Sequence, residues 1–184
     1  MTVPHELDGL IPADLGEALA ALAAKVPAAQ SIVEIGSYRG KSTAFLAWGA
    51  KQGNGAAVIA VDPWDLQPDP GKHGYNDPGV RADFERQLKA CRLWSRVRPV
   101  RAYSADAAAA YDGPPVGLLY VDGDHEHPQA DLDAWAPHLA ADAVVALDDW
   151  GTRRNPQVAR AAAAYAGARG SAVEVQAGRL AVIR

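Results

Sequence analysis

Apolar and polar positions along this chain switch repeatedly between the period of a helix and that of a strand. Leu15, Leu19, Leu22 and Val26 recur at i, i+4, i+7 and i+11, one face of an amphipathic helix that Pro27 stops. Ser31-Ile32-Val33-Glu34-Ile35 is a short apolar run closed by Gly36, which predicts a buried strand followed by a turn. A helix follows from about Lys41 with Phe45 and Trp48 inward, then a second strand over residues 57–61. Beyond a Pro/Gly/Asp-rich loop running from Pro63 to about Gly79, a helical stripe of Val80, Phe84, Leu88 and Cys91 appears. A third strand is predicted over Val97–Arg101, a short helix over 105–111 and a fourth strand over Val116–Val121. Pro128, at the favoured first helical position, opens a helix carrying Leu132, Trp135 and Leu139 inward. A fifth strand over 143–147, a helix with Val158, Ala162 and Tyr165, and a terminal pair over 172–176 and 179–183 complete the pattern. Gln176-Ala177-Gly178-Arg179 reads as a hairpin turn, so the last two strands should run antiparallel.

Five strand–helix units in succession imply an α/β fold, a doubly wound and mostly parallel sheet with helices on both faces. In such sheets ligands bind beyond the carboxyl ends of the strands, near the switch in strand order. That rule singles out Glu34 to Gly40, Asp62 to Asp65, Tyr103 to Asp106, Asp122 to His127 and Asp148 to Trp150. Four of these five stretches carry acidic residues directly after the last apolar position, where a carboxylate is costly unless it binds something.

Composition narrows the setting. The 184 residues suit one domain, with residues 1–30 an N-terminal helical segment and 31–184 the sheet core. The net charge of −4 carries no electrostatic footprint for nucleic acid or an anionic membrane. No apolar run approaches the roughly 18 residues of a spanning helix, and residues 1–6 lack the basic start of a signal peptide, so a cytoplasmic protein is expected. Cys91 is the sole cysteine, which excludes an internal disulfide framework and a cysteine-based zinc site. Alanine takes 39 positions and arginine outnumbers lysine 13 to 5, a compositional bias, so runs such as 107–110 and 161–164 read as helical filler.

The glycine loop has two readings. Gly36-Ser37-Tyr38-Arg39-Gly40-Lys41-Ser42-Thr43 superficially looks like a phosphate-binding loop, but three residues separate its glycines where four are needed to curl around a phosphate. Alternatively, Glu34-x-Gly36-x-Tyr38-x-Gly40 is a variant of the acidic-x-Gly-x-Gly-x-Gly loop, with Tyr at the middle position. Asp62 ends the second strand 26 residues after Gly36, where an acidic residue accepts ribose hydroxyls in nucleotide-binding α/β folds. NAD would use the same aspartate, although the full Gly-x-Gly-x-x-Gly spacing of a dehydrogenase is missing.

The acidic cluster bears on chemistry. Asp122-Gly123-Asp124-His125-Glu126-His127 follows strand four and Asp148-Asp149-Trp150 follows strand five. Adjacent strands lie ~4.8 Å apart, so these groups should meet at one cleft edge. Asp122, Asp148 and Asp149 would form a hard oxygen site suited to Mg²⁺ or a similar divalent cation, with His125 beside it as general base. Zinc held through His125 and His127 is the lesser alternative, because carboxylates outnumber imidazoles.

Val33-Glu34-Ile35-Gly36-Ser37-Tyr38-Arg39-Gly40-Lys41-Ser42-Thr43, Val61-Asp62-Pro63-Trp64 and Tyr120-Val121-Asp122-Gly123-Asp124-His125 together resemble class I S-adenosylmethionine-dependent methyltransferases. More narrowly they are similar to small metal-dependent O-methyltransferases of the Asp-Gly-Asp-His type, related to antibiotic sugar O-methyltransferases and distantly to catechol O-methyltransferase. The resemblance implies a Rossmann-like seven-stranded sheet with an antiparallel C-terminal strand. It implies that Glu34, Gly36 and Ser37 contact S-adenosylmethionine, that Asp62 binds its ribose and that Ser104 and Ala105 lie near its adenine. Tyr38, Gly40, Trp64 and Asp122 complete that cofactor set, and Asp122, Asp148 and Asp149 would hold Mg²⁺.

The expected reaction is methyl transfer to a hydroxyl of a small acceptor (a sugar, phenol or other metabolite), assisted by Mg²⁺, with His125 taking the proton. A cofactor-binding protein without metal-dependent catalysis and an NAD-binding oxidoreductase are the alternatives. The loop between Trp64 and Gly79, with Lys72, His73, Tyr75 and Asn76, is either a lid or a plain insertion. Small relatives commonly dimerise, so a homodimer is compatible with the resemblance.

Overall fold

The computed structural model describes residues 2–64 and 79–184. Seven strands form one sheet: β1 (Ser31–Ile35), β2 (Ala57–Asp62), β3 (Val97–Arg101), β4 (Val116–Val121), β5 (Leu139–Leu147), β6 (Val173–Gln176) and β7 (Leu180–Ile183). Their spatial order is β3-β2-β1-β4-β5-β7-β6. The first five strands pair in parallel, while β7 lies antiparallel between β5 and β6. The order reverses between β1 and β4, the place where an open α/β sheet leaves a crevice.

Among the described residues, six α-helices cover the sheet: α1 (Ala13–Ala23), α2 (Lys41–Gln52), α3 (Val80–Ala90), α4 (Ser104–Ala109), α5 (Pro128–Trp135) and α6 (Pro156–Ala168). Strand side chains alternate between the two faces. Ile32, Val58, Leu118, Tyr120 and Ala146 pack under α1, α2 and α3. Val33, Ile59, Leu119, Val145 and Leu147 pack with Trp135 and Val158 beneath the helices of the other face. Glu34 pairs in register with Ala60 on one side and Tyr120 on the other, so it belongs to the α2 face. By the same alternation Asp62, Asp122 and Asp148 follow Ala60, Tyr120 and Ala146 onto that face. Four acidic residues thus end four neighbouring strands on one side of the sheet.

The predicted strands over Ser31–Ile35, Val97–Arg101 and Val116–Val121 match the observed elements. Two expectations are corrected. α5 ends at Trp135 because Pro137 interrupts it, and Leu139 opens β5 opposite Val116 instead of facing inward from a helix. Likewise α1 stops at Ala23, before Pro27, although Val26 remains in the core. Cys91 is buried at the end of α3, where burial pushes its thiol up. No helix among the described residues is long and apolar enough to cross a membrane.

α1 and α2 pack through small residues. A Cβ at Gly49 would lie 2.1 Å from the carbonyl oxygen of Ala20, so the two helices meet backbone to backbone. Gly49→Ala must force them apart, and overpacking of this kind costs about 1–3 kcal/mol. A thermal melt should show the midpoint falling by roughly 2–10 °C for a chain of this size; an unchanged midpoint would show that the helix pair yields freely.

Candidate active site

The carboxyl edge of the sheet is stitched together by its own backbone. Gly36 N–H donates to the carbonyl of Val61, Asp122 N–H to that of Ile35 and Asp148 N–H to that of Val121, at 2.9, 2.8 and 3.1 Å. Each strand therefore carries its neighbour's loop at a fixed height. Gly36 has φ +87°, and a Cβ there would lie 2.3 Å from the carbonyl oxygen of Asp122. Glycine is the residue that lets the loop after β1 touch the loop after β4.

Glu34 is fully buried. Its Oε2 accepts from the hydroxyls of Ser37, at 2.7 Å, and Thr43. Its Oε1 is buried without a hydrogen-bond partner. Burial raises the carboxyl to about 7, against the opposing pull of the hydroxyls of Ser42, Thr43 and Ser37. Such an orphaned acidic oxygen is where an ammonium group would be welcome.

Asp62 closes the next strand. Its Oδ2 accepts from Tyr38 N–H at 2.8 Å and its Oδ1 from Trp64 N–H at 2.6 Å, which ties the ends of β1 and β2 together. Burial raises this carboxyl, and the amides of Tyr38, Trp64 and Ser37 pull it down. Trp64 turns its side chain inward. Its indole is buried edge-on against Phe84, and its N–H donates to Tyr38 O at 2.9 Å. What Trp64 can offer at the strand end is backbone, since its ring is committed to the core. Gly40 sits under the same Phe84 ring with φ +87°. Tyr38 is half-buried with the Arg39 guanidinium over its ring. Ser104 and the exposed Ala105 begin α4, and Ser104 Oγ accepts from Trp135 Nε1 at 3.1 Å. The loop between Trp64 and Gly79, with its candidate lid residues, lies outside the described residues at positions 65–78.

Beyond β4 the structure brings together Asp122, His125, Asp148 and Asp149. Tyr120 O–H donates to Asp122 Oδ2 at 3.0 Å, and burial holds the Tyr120 phenol well above its ordinary value. Burial also raises Asp122, to about 6, although His125 opposes the rise. His125 Nε2 lies 3.3 Å from Asp122 Oδ1 and 3.3 Å from Asp149 Oδ2, aligned as a hydrogen bond with neither. Asp122 raises the imidazole, burial lowers it, and the charges of Asp122, Asp149 and Asp148 raise it further; the net direction is upward. His127 differs: it is exposed on the surface and pairs with Asp124 at 2.9 Å.

Sequence reasoning missed Arg179. Its Nε and Nη2 donate to Asp148 Oδ1 and Oδ2, both at 2.7 Å, and Nη2 also reaches Asp149 Oδ1 at 2.6 Å. Asp149, at φ +62°, also accepts at Oδ2 from the side-chain amide of Asn155. The signal available in sequence was a lone arginine at the hairpin turn before the last strand, and its meaning required knowing that β7 pairs with β5. Asp131, buried on α5 with an unpartnered Oδ2, also went unread.

The expected cation site at Asp122, Asp148 and Asp149 does not fit this donor set. Two oxygens on one Mg²⁺ lie at most about 4.2 Å apart, given its 2.0–2.1 Å bonds. Among the described residues, the one group of three acidic or histidine side chains whose ligand atoms lie within 4.8 Å of one another is the exposed Asp124, Glu126 and His127. Both oxygens of Asp148 and both of Asp149 already face side-chain donors.

Residues 33–150 match the family model described as a methyltransferase domain. The fold is similar to that of the O-methyltransferase NovP (TM-score 0.74, 17% identity, 93% of this chain and 79% of that one). It is similar to a TDP-rhamnose 3′-O-methyltransferase of calicheamicin biosynthesis (0.65, 22%, 92% and 76%). A Bacillus cereus O-methyltransferase in complex with S-adenosylhomocysteine also matches (0.68, 16%, 95% and 83%).

Glu34 makes stability depend on pH. Its folded value near 7 lies above the ordinary 4.5, so its contribution is full below pH 4.5 and is lost as pH rises through 7. The loss amounts to about 3 kcal/mol. Denaturant unfolding of the ligand-free chain against Glu34→Gln should show their stability difference shift by that amount between pH 4.5 and 8, in favour of the variant at high pH. A pH-independent difference would mean that Glu34 is solvated.

Proposed function

The chain belongs to the methyltransferase-domain family, and from that premise we propose that it transfers a methyl group from S-adenosylmethionine to a hydroxyl of a small molecule. The observation that carries this reading is His125 Nε2 held 3.3 Å from each of two carboxylates, beside the glycine loop and its orphaned acid. When bound, S-adenosylmethionine supplies an electrophilic methyl group on a sulfonium sulfur, which leaves as a neutral thioether.

The residues fit that cofactor. Glu34 Oε1 would take the ammonium of its methionine part, the close turn at Gly36 and Ser37 would admit its backbone, and Asp62 would accept from the ribose hydroxyls. Ser104 and Ala105, beginning α4 after β3, lie toward the adenine end of the same row. His125 would receive the acceptor's proton as oxygen attacks, and Asp122 and Asp149, each 3.3 Å from its Nε2, would stabilise the imidazolium that forms. Orientation of the reacting atoms along the edge can supply up to about 7–11 kcal/mol in favourable systems. No step is assigned to Mg²⁺, because the three aspartates do not fit it. The solved sugar O-methyltransferase among the structural neighbours supports a hydroxylated acceptor.

Thermal shift with S-adenosylhomocysteine tests the cofactor. At a hundredfold excess over Kd the gain is about 2.7 kcal/mol, a rise of roughly 5–10 °C. NAD and ATP should give none; stabilisation by NAD alone would favour the oxidoreductase. Asp62→Ala should weaken S-adenosylhomocysteine binding by about tenfold or more, from lost hydrogen bonds to a charged group. In a labelled-methyl screen of sugars and phenols, His125→Ala should lower kcat by about 10²–10⁴ while keeping the thermal shift. Undiminished turnover would remove His125 from the mechanism.

A further inference from the structure

We propose that Arg179 is the built-in cation of this site: it pairs with both Asp148 and Asp149 in the place where a divalent ion would otherwise sit, and so excludes one. The use made of the site rests on the methyl-transfer reading, whereas the exclusion rests on charge and geometry alone.

Asp148 is 1% exposed, and the side chains of Asp149 and Asp122 are 16% and 18% exposed. Three carboxylates so placed need positive charge, because an unpaired buried carboxylate costs several kcal/mol. Arg179 supplies it through the planar fork of its guanidinium, which saturates both oxygens of Asp148 and reaches Asp149 with the same Nη2. A lysine, with one point charge, could not hold three oxygens in this plane. Arginine is never deprotonated in a protein, so the site has no state in which this charge is switched off. An ion bonded to Asp148 would lie against the guanidinium, and two like charges at such separation repel.

Nor is Arg179 a loose surface side chain that found acids by chance. Leu147 pairs with Ala181 in the antiparallel register, and continuing that count sets Arg179 opposite Asp149. Its carbonyl accepts from Trp150 N–H at 2.8 Å and its N–H donates to Gln176 O at 3.2 Å. The turn before it is fixed by left-handed Ala177 and Gly178, at φ +46° and +68°. The hairpin therefore delivers the guanidinium to the carboxyl edge with its backbone held at both ends. Acting through Asp149, which faces His125 Nε2, Arg179 is a positioning residue for the proposed base.

Mn²⁺ alone is a sufficient probe. The full chain is titrated in a His127→Ala background, which weakens the exposed Asp124, Glu126 and His127 cluster, and free Mn²⁺ is followed by electron paramagnetic resonance. With Arg179 intact, no ion that Asp148→Asn can abolish should bind below about 1 mM. Arg179→Met should create one such site, about tenfold or more tighter, lost again when Asp148→Asn is added. Arg179→Gln, which keeps a donor but not the charge, serves if the Met variant does not fold. Two results overturn the proposal: Asp148-dependent Mn²⁺ binding with Arg179 present, or a folded Arg179 variant that binds S-adenosylhomocysteine but gains no ion. Failure of the Arg179-containing chain to bind S-adenosylhomocysteine would instead overturn the methyl-transfer reading, and the ion result would stand.

Discussion

The structure depends on how negative charge is tolerated at the ends of four adjacent buried strands. Glu34, Asp62, Asp122 and Asp148 end β1, β2, β4 and β5 on the face packed by α2, and three of them are among the buried polar groups. Carboxylates in that setting destabilise a fold unless protons, donors or cations answer them. Each strand end meets the demand differently. Glu34 is raised to about 7 under its hydroxyl cover, Asp62 takes two backbone amides, Asp122 takes Tyr120 and His125, and Asp148 takes Arg179. The loop conformations are set by these partners, because Asp62 fixes Tyr38 and Trp64, and Asp148 fixes Asp149.

Sheet topology explains why an arginine can reach this edge. In the parallel part, every strand enters from the far side and leaves toward the crevice, so the loop after each strand lines it. An antiparallel strand inverts that relation: the residues before β7 arrive where the residues after β5 leave. Reversing one strand thus lets a hairpin turn contribute to a site otherwise built from strand–helix loops. A parallel seventh strand would have carried Arg179 to the opposite edge, leaving Asp148 and Asp149 in need of another cation.

Local signals made most of the fold legible. Strands β1, β2 and β4 stand out because their apolar runs end at Gly36, Asp62 and Asp122. The start of β5 was hidden because Leu139 to Asp142 carry no apolar alternation, being half-buried or exposed. At the site, Glu34, Gly36, Asp62 and His125 were readable, since each sits at a fixed offset from a strand end. Two things were not. Trp64 comes after a strand, yet the left-handed turn at Trp64 (φ +44°) sends its ring back under Phe84. The partner of Asp148 lies 31 residues away, and sequence spacing says nothing about which strand pairs with which. The cluster of aspartates was therefore visible while the charge that pairs with it was not, and a metal ion was the natural inference.

The distribution of these partners along the edge also orders the site's electrostatics. The β5 end is paired internally with a permanent cation, and Asp122 shares His125 with Asp149. At the β1 end, Glu34 Oε1 alone of these strand-end oxygens is buried without a partner. An ammonium placed there would favour the ionised form and replace the missing donor, so binding would remove the largest unanswered cost in the ligand-free edge. In the proposed reading a cationic cofactor would be held from its amino end, while the His125 imidazole, on the other side of the switch between β1 and β4, would take the proton. The two functions are kept apart by one strand spacing, and the close contact of Gly36 with Asp122 is what makes that spacing rigid.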